Sequence, residues 1–294
     1  MRQRERTYSL VVGDYQTGNG LLIETLQMAF DVSKVADNKN NNGNSASIEI
    51  YNLNPSQIAL LDTQFIDATL SVGYRDIGNR VLVSGNVMEV VTRKSGDDYV
   101  TQLTMGEGYS DLNHNKLKGV VSPGSTVADV IEAIRKEMPS VARGSVTGTN
   151  LNNPVVSGWR LSGTPREALK KLCEANQLEY NITGNVLNTT DVNGVFTKDT
   201  VNCPVLNEVT GLIETPFHIL QQAGKSKKDK RRRKGMQFKA LLNPMILPGA
   251  IVKLESPVIT GFYRVNAARF SGDFRGNDWT VECTCSEIAA DELE

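Results

Sequence analysis

The sequence predicts a mainly β protein with an α+β insert, ordered barrel, insert, barrel, and three observations carry that prediction. Short apolar runs with partial alternation, separated by Gly, Asn and Asp clusters, fill residues 6–106 and return after about residue 201. Between them the period changes to that of amphipathic helices. The chain, at 294 residues with 39% hydrophobic content, is long enough for two or three domains of about 100–200 residues each. The expected division is a first β-barrel over 1–108, an α+β domain over 109–200 and a second β-barrel over 201–294.

In the first segment the strand candidates are Tyr8-Ser-Leu-Val-Val, Leu21 to Phe30, Ile48-Glu-Ile-Tyr, Leu70 to Tyr74, Val81 to Thr92 and Tyr99 to Met105. The run Asn38, Lys39, Asn40, Asn41, Asn42, Gly43, Asn44 is too polar for a strand interior and reads as the exposed tip of a long hairpin. Ser95-Gly-Asp-Asp98 reads as a tight turn. One short helix interrupts the strands, because Asn54-Pro-Ser-Gln57 supplies a cap, a proline at the first helical position and a glutamine for a capping box.

In the middle segment Val127, Val130, Ile131, Ile134 and Met138 share one helical face. Thr164-Pro-Arg-Glu167 opens a second helix whose stripe is Ala168, Leu169, Leu172 and Cys173. Strands at Leu178 to Ile182 and Asn185 to Asn188 follow, joined at Thr183-Gly184. The last segment offers strands at Gly211-Leu-Ile, Met236 to Leu242, Ala250 to Leu254, Gly261 to Phe270 and Trp279 to Cys285. In the last of these Trp279, Val281, Cys283 and Cys285 share one face.

The net charge of the whole chain is only −1, yet eight cations crowd into ten positions: Lys225, Lys227, Lys228, Lys230, Arg231, Arg232, Arg233 and Lys234, with one Asp among them. The rest of the chain then holds 24 bases against 32 acids, a net of −8. A body that repels polyanions bears a short segment that attracts them, and each field acts only over about 8 Å in physiological salt. The placing expected of this run is an exposed loop or hairpin tip, either solvated or in contact with a phosphate backbone or an acidic protein surface. It contains no aromatic residue, which argues against stacking on single-stranded bases.

Motifs for chemistry are missing from the sequence: there is no phosphate-cradling Gly-x-x-x-x-Gly-Lys-Ser/Thr, no His-Glu-x-x-His, no Gly-x-Ser-x-Gly and no dinucleotide Gly-x-Gly-x-x-Gly. Asp97-Asp98 and Asp273 with Asp278 fall in turn sequences, where Asp is favoured for its own backbone hydrogen bonds. Two histidines, His114 and His218, and four cysteines are too few and too scattered for a zinc site, so free thiols and no cofactor are expected. No stretch approaches the about 20 apolar residues that cross a bilayer, and no apolar segment follows Met-Arg-Gln-Arg-Glu-Arg at the start. The expectation is synthesis in a cytosol without membrane insertion.

Four stretches together carry a resemblance: Ser45 through Pro55; Val72-Gly-Tyr74 with Leu82-Val-Ser-Gly-Asn86 and Arg93 to Asp98; Leu241-Leu-Asn-Pro-Met-Ile-Leu-Pro-Gly249; and Gly261-Phe-Tyr-Arg-Val with Gly272 through Trp279. In this order and spacing the chain resembles the central baseplate hub proteins of tailed bacteriophages, particularly contractile-tailed ones. The resemblance implies two tail-tube-like β-barrels per chain and a homotrimer whose six barrels form a ring around the DNA channel. Such a ring adapts a sixfold tail tube to a threefold central spike. It also implies a non-enzymatic virion protein, made in the host bacterial cytoplasm. The implied partners are the tube or tube-initiator protein, the spike, other baseplate subunits, the tape-measure protein and the viral DNA in transit. The acidic balance outside the basic run suits a lumen that repels phosphate. Residues 38–44 and 225–234 are the candidate contact loops, and the basic run has no counterpart in the resemblance. The rival readings are a tail-associated cell-wall hydrolase and a module that binds peptidoglycan or nucleic acid.

Overall fold

The computed structural model describes residues 5–38, 43–61, 65–196, 198–222 and 232–288. Its first β module contains β1 (Arg6–Asp14), β2 (Asn19–Ile23), β3 (Met28–Val35), β4 (Ser45–Tyr51), helix α1 (Pro55–Leu61), β5 (Asp67–Tyr74), β6 (Gly78–Ser95) and β7 (Asp98–Gly106). The insert contains α2 (Tyr109–His114), β8 (Gly119–Val121), α3 (Val127–Lys136), β9 (Ala142–Val146), β10 (Trp159–Leu161), α4 (Pro165–Asn176), β11 (Leu178–Thr183) and β12 (Val186–Asp191). The second β module contains β13 (Val205–Leu206), β14 (Phe217–Gln222), β15 (Arg232–Leu241), β16 (Ile251–Glu255), β17 (Thr260–Asp273) and β18 (Trp279–Glu287). The fold is mainly β with an α+β insert, as the sequence predicts.

Local chemistry accounts for these elements. Asn54 and Gln57 form the expected capping box, with the Asn54 Oδ1 accepting from the Gln57 N–H at 2.8 Å and the Gln57 Oε1 accepting from the Asn54 N–H at 3.0 Å. Thr164 and Glu167 do the same for α4, and Thr126 with Asp129 caps α3, a box the sequence reading passed over. The Thr126 and Thr164 donors hold the Asp129 and Glu167 carboxyls below the usual carboxylate range. The β11–β12 hairpin turns at Gly184 and Asn185, one residue later than expected; both have φ of +59°, the backbone of a type I′ turn.

The expected single strand from Leu21 to Phe30 is instead two strands. Leu21 and Ile23 are buried, then the buried positions move to Met28, Phe30 and Val32. The parity of the alternation slips by one between Ile23 and Met28, so a straight strand would expose one half of its apolar side chains. The chain bends at residues 24–26, and the Tyr8 hydroxyl fastens the bend by donating to the Leu26 carbonyl at 2.6 Å.

Strand order reveals an internal repeat. The first module runs β3-β4-β7-β6-β5-β1 and the second β14-β15-β18-β17-β16-β13. Reading the strands in sequence, β3 matches β14, β4 matches β15, and β5, β6 and β7 match β16, β17 and β18. Smaller marks repeat as well. A bulge falls after Val87 in β6 and after Val265 in β17. The N–H of each of these residues leaves the strand to reach a loop carbonyl, Val87 to Ile66 at 2.8 Å and Val265 to Ala250 at 3.0 Å. Leu-Asn-Pro follows β4 at Leu53 and follows β15 at Leu242. One departure is that β1 is antiparallel to β5 whereas β13 is parallel to β16.

The two modules are one continuous sheet because β17 divides one edge between them. Along that edge β16 pairs with Thr260–Arg264 and β3 pairs with Ala267–Asp273, and the change falls at the bulged Asn266, whose carbonyl accepts from Ala36 N–H at 2.9 Å. Phe270 opposes Val32 there, both fully buried. Gly272 opposes Phe30, whose ring lies across it where any Cβ would collide, and that ring meets Trp279 edge-on at 5.4 Å. One apolar cluster accordingly draws on both modules, and a second fills the insert from Leu112 to Leu187. Replacing Phe270 with Ala is expected to lower stability by about 3–5 kcal/mol, read in urea unfolding followed by tryptophan fluorescence in a Trp159→Phe background that leaves Trp279 as the reporter.

Candidate functional site

Two buried ion pairs sit where the insert meets the sheet, one on each module. On the first, Lys34 of β3 reaches Glu107 just past β7, Nζ to Oε1 at 3.1 Å, with both side chains essentially without solvent exposure. The Glu107 carboxylate also accepts from the Gly184 N–H of the insert hairpin at 2.9 Å, the Ser84 N–H at 3.4 Å and the Asn44 Nδ2 at 2.7 Å. Asn44 completes the knot. Its Nδ2 also donates to the Ile182 carbonyl at 2.7 Å, and its Oδ1 accepts from the Val35 N–H at 2.9 Å.

On the second module Arg264 of β17 pairs with Glu179 of β11, both buried. The same guanidinium donates through Nε to the Gly194 carbonyl at 2.6 Å and through Nη1 to the Asn266 Oδ1 at 2.6 Å. The other Glu179 oxygen accepts from the Asn193 N–H at 3.2 Å. Phe196 adds an apolar contact, since its ring lies where any Cβ on Gly249 would stand and its N–H donates to the Gly249 carbonyl at 3.0 Å. The Glu107, Glu179 and Arg264 charges are each taken from water with several hydrogen bonds beyond the ion pair itself. The β11–β12 hairpin is therefore a wedge bonded to both modules.

The candidate contact loops occupy matching places, the first between β3 and β4 and the second between β14 and β15. At the ends of the first, Asn38 and Asn44 are buried, which corrects the expectation that this whole run is exposed; the knot with Glu107 takes Asn44, and the Asn38 N–H donates to the Tyr180 carbonyl at 2.8 Å. Lys39, Asn40, Asn41 and Asn42 lie outside the described residues. In the basic run Lys225, Lys227, Lys228, Lys230 and Arg231 also lie outside them. Arg232, Arg233 and Lys234 belong to β15 itself and pair with Gln222, Gln221 and Leu220 of β14. The partner strand β18 engages β15 only from Gly235 onward, so those three cationic positions sit on a two-stranded ribbon that overhangs the sheet. The run is thus carried partly by a strand and not by a loop alone.

A groove of about 910 Å³ opens between the modules, lined among others by Tyr74, Ile77, Val209, Met245 and Trp279. Its charged lining side chains are Arg6, Arg80 and Glu208, with no histidine, cysteine or aspartate among them. Arg6 is already occupied: its guanidinium donates to the carbonyls of Asp273 at 2.8 Å, Gly276 at 2.7 Å and Asn277 at 2.9 Å, and stands 5.5 Å from the Trp279 ring. The Asp273 carboxylate accepts from the Arg275 and Gly276 N–H groups and from Gln27, which makes it a turn residue. The four cysteines are free, and burial pushes the Cys283 and Cys285 thiols up, away from the reactive thiolate. His114 packs against the Phe65 ring at 4.6 Å, and His218 lies exposed on β14. Among the described residues no three His, Cys, Asp or Glu side chains gather as a metal site.

In fold, solved structures of phage tail proteins are similar to this chain over nearly its whole length. No family model and no curated protein matches by sequence. The tail protein from Neisseria meningitidis MC58 superposes with a TM-score of 0.65 at 12% identity, covering 98% of this chain and 98% of that one. The 43 kDa tail protein of prophage MuSo2 from Shewanella oneidensis gives 0.66 at 9% identity, covering 99% and 100%. A component of the type VI secretion system of E. coli, described as structurally similar to the T4 bacteriophage tail proteins gp27 and gp5, gives 0.65 at 9%, covering 90% and 74%. The shared property is the fold, and it agrees with the resemblance read from the sequence.

The knot on the first module yields a double-substitution test. Lys34→Met alone strands a buried carboxylate and is expected to cost about 3–5 kcal/mol. Combining it with Glu107→Gln, which removes the charge and keeps an acceptor for the Gly184 N–H, should restore a large part of that loss in urea unfolding.

Proposed function

We propose that this chain is a structural component of a phage tail, the hub of its baseplate, working by assembly and not by turnover. Three copies form a ring of six alike β modules around the DNA channel, which joins a sixfold tube to a threefold spike. The single observation that carries this reading is the strand-order repeat within one chain, because a duplicated module lets a threefold object present a sixfold surface. Full-length similarity to two tail proteins supports it. The division into 1–108, 109–200 and 201–294 belongs to the same proposal, and so do residence in the virion and contacts with tube, spike and neighbouring baseplate subunits. The acidic balance outside residues 225–234 suits a channel that does not retain DNA.

Native mass measurement of the purified chain, alone and with a spike partner, is expected to give three copies; a stable dimer in both would overturn the hub reading. Replacing the eight cations of the basic run with Ser separates two roles for it. If the run grips an acidic neighbour, particle assembly falls while ejection from the particles that do form is normal. If it touches DNA, assembly holds and ejection slows, with a salt dependence that flattens in the variant.

A further inference from the structure

The internal repeat specifies a missing strand pairing. In the second module the edge of β17 is filled along its whole length, by β16 up to Arg264 and by β3 from Ala267. In the first module the matching strand β6 is filled by β5 only up to Asn86. From Glu89 to Ser95 it pairs with β7 on one side, and among the described residues no strand pairs with its other side. The strand that matches β3 is β14, which among the described residues ends the sheet and pairs only with β15. Each chain therefore carries both halves of a joint that it has already made once within itself.

We propose that copies of this chain join through β14 of one copy and the second half of β6 of the next, in the antiparallel register that β3 and β17 use internally. The bulges align Met88 with Asn266, and the ladders through β15 and β18 align His218 with Val32. Transferring the internal pairs then sets Phe217 opposite Arg93, His218 opposite Thr92, Ile219 opposite Val91, Leu220 opposite Val90 and Gln221 opposite Glu89. This rests on the trimeric ring proposed above and names the contact that closes it.

The side chains agree with the transfer. Leu220 and Phe217 are 70% and 52% exposed and Val91 is 43% exposed, and both strand segments face solvent over most of their described residues. In the proposed register Leu220 covers Val90, which already packs against the shared core, just as Lys34 and Ala268 meet on the inner face of the internal joint. The Phe-His-Ile-Leu-Gln-Gln sequence of β14 has no charge, proline or glycine, the devices that ordinarily blunt a free edge. Contact is head-to-tail, since one copy gives β14 and the other receives on β6, and such a contact forms a ring when its rotation closes.

Disulfide trapping reads the register directly. In the full chain, Val91→Cys with Ile219→Cys should oxidise to a covalent ring on a non-reducing gel, and equal mixing of the two single variants should give a covalent dimer. The off-register combination of Glu89→Cys with Ile219→Cys should cross-link at least about tenfold more slowly, since cysteines two residues out of register lie beyond disulfide reach. Native mass of the same samples separates the failures. A trimer by mass in which neither Val91→Cys with Ile219→Cys nor Val90→Cys with Leu220→Cys cross-links overturns this joint and leaves the trimer standing. A chain that stays monomeric at all concentrations, with and without the spike and uncross-linked, overturns both.

Discussion

The structure depends on one strand edge having two tenants. A strand offers a row of donors and acceptors on each side, and leaving part of a buried row unpaired costs the desolvation of every group in it. In β17 the first part of one row is taken by its own module and the rest by the other, with Asn266 bulged at the change. The two modules cannot separate without unpairing seven residues of β17 and exposing Phe270 and Val32. Their relative orientation is thus set by strand pairing and not by a linker.

The insert adds a second constraint of a different kind. Its contact with the sheet is largely polar, through Glu107, Asn44, Glu179 and Arg264, all buried, with the Phe196 ring against Gly249 as an apolar addition. Such groups stabilise little in net terms but tolerate few geometries, because a small displacement leaves a charge without a partner in a region of low dielectric. An apolar seam would permit sliding. Here the hairpin at Gly184 and Asn185 sits where the Glu107 carboxylate accepts its N–H, so turn geometry and ion pair specify the same position.

Much of this was legible in the sequence because it is local. The Asn54, Thr164 and Gln57 caps, the Val127–Met138 stripe and the alternation from Trp279 to Cys285 each depend on neighbours within a few positions, and each appears where the residues place it. The split of Leu21 to Phe30 was also there, as a slip in alternation parity, and the Leu-Asn-Pro echo was a trace of the repeat. Asn44 was misleading: composition assigns an Asn run to solvent, while the buried carboxamide answers to a carboxylate sixty-three positions away. The pairing of Glu179 with Arg264 had no sequence signal at all, because nothing in either neighbourhood announces a charge destined for burial.

The matching loops have a consequence for recognition. The backbone repeats, but the stretch between β3 and β4 is rich in neutral amides and the stretch between β14 and β15 is densely cationic. The flanking strands are alike in order and register while the residues joining them differ in charge, so a neighbour fitted to the strands would meet two like places per polypeptide and a neighbour fitted to charge would meet one.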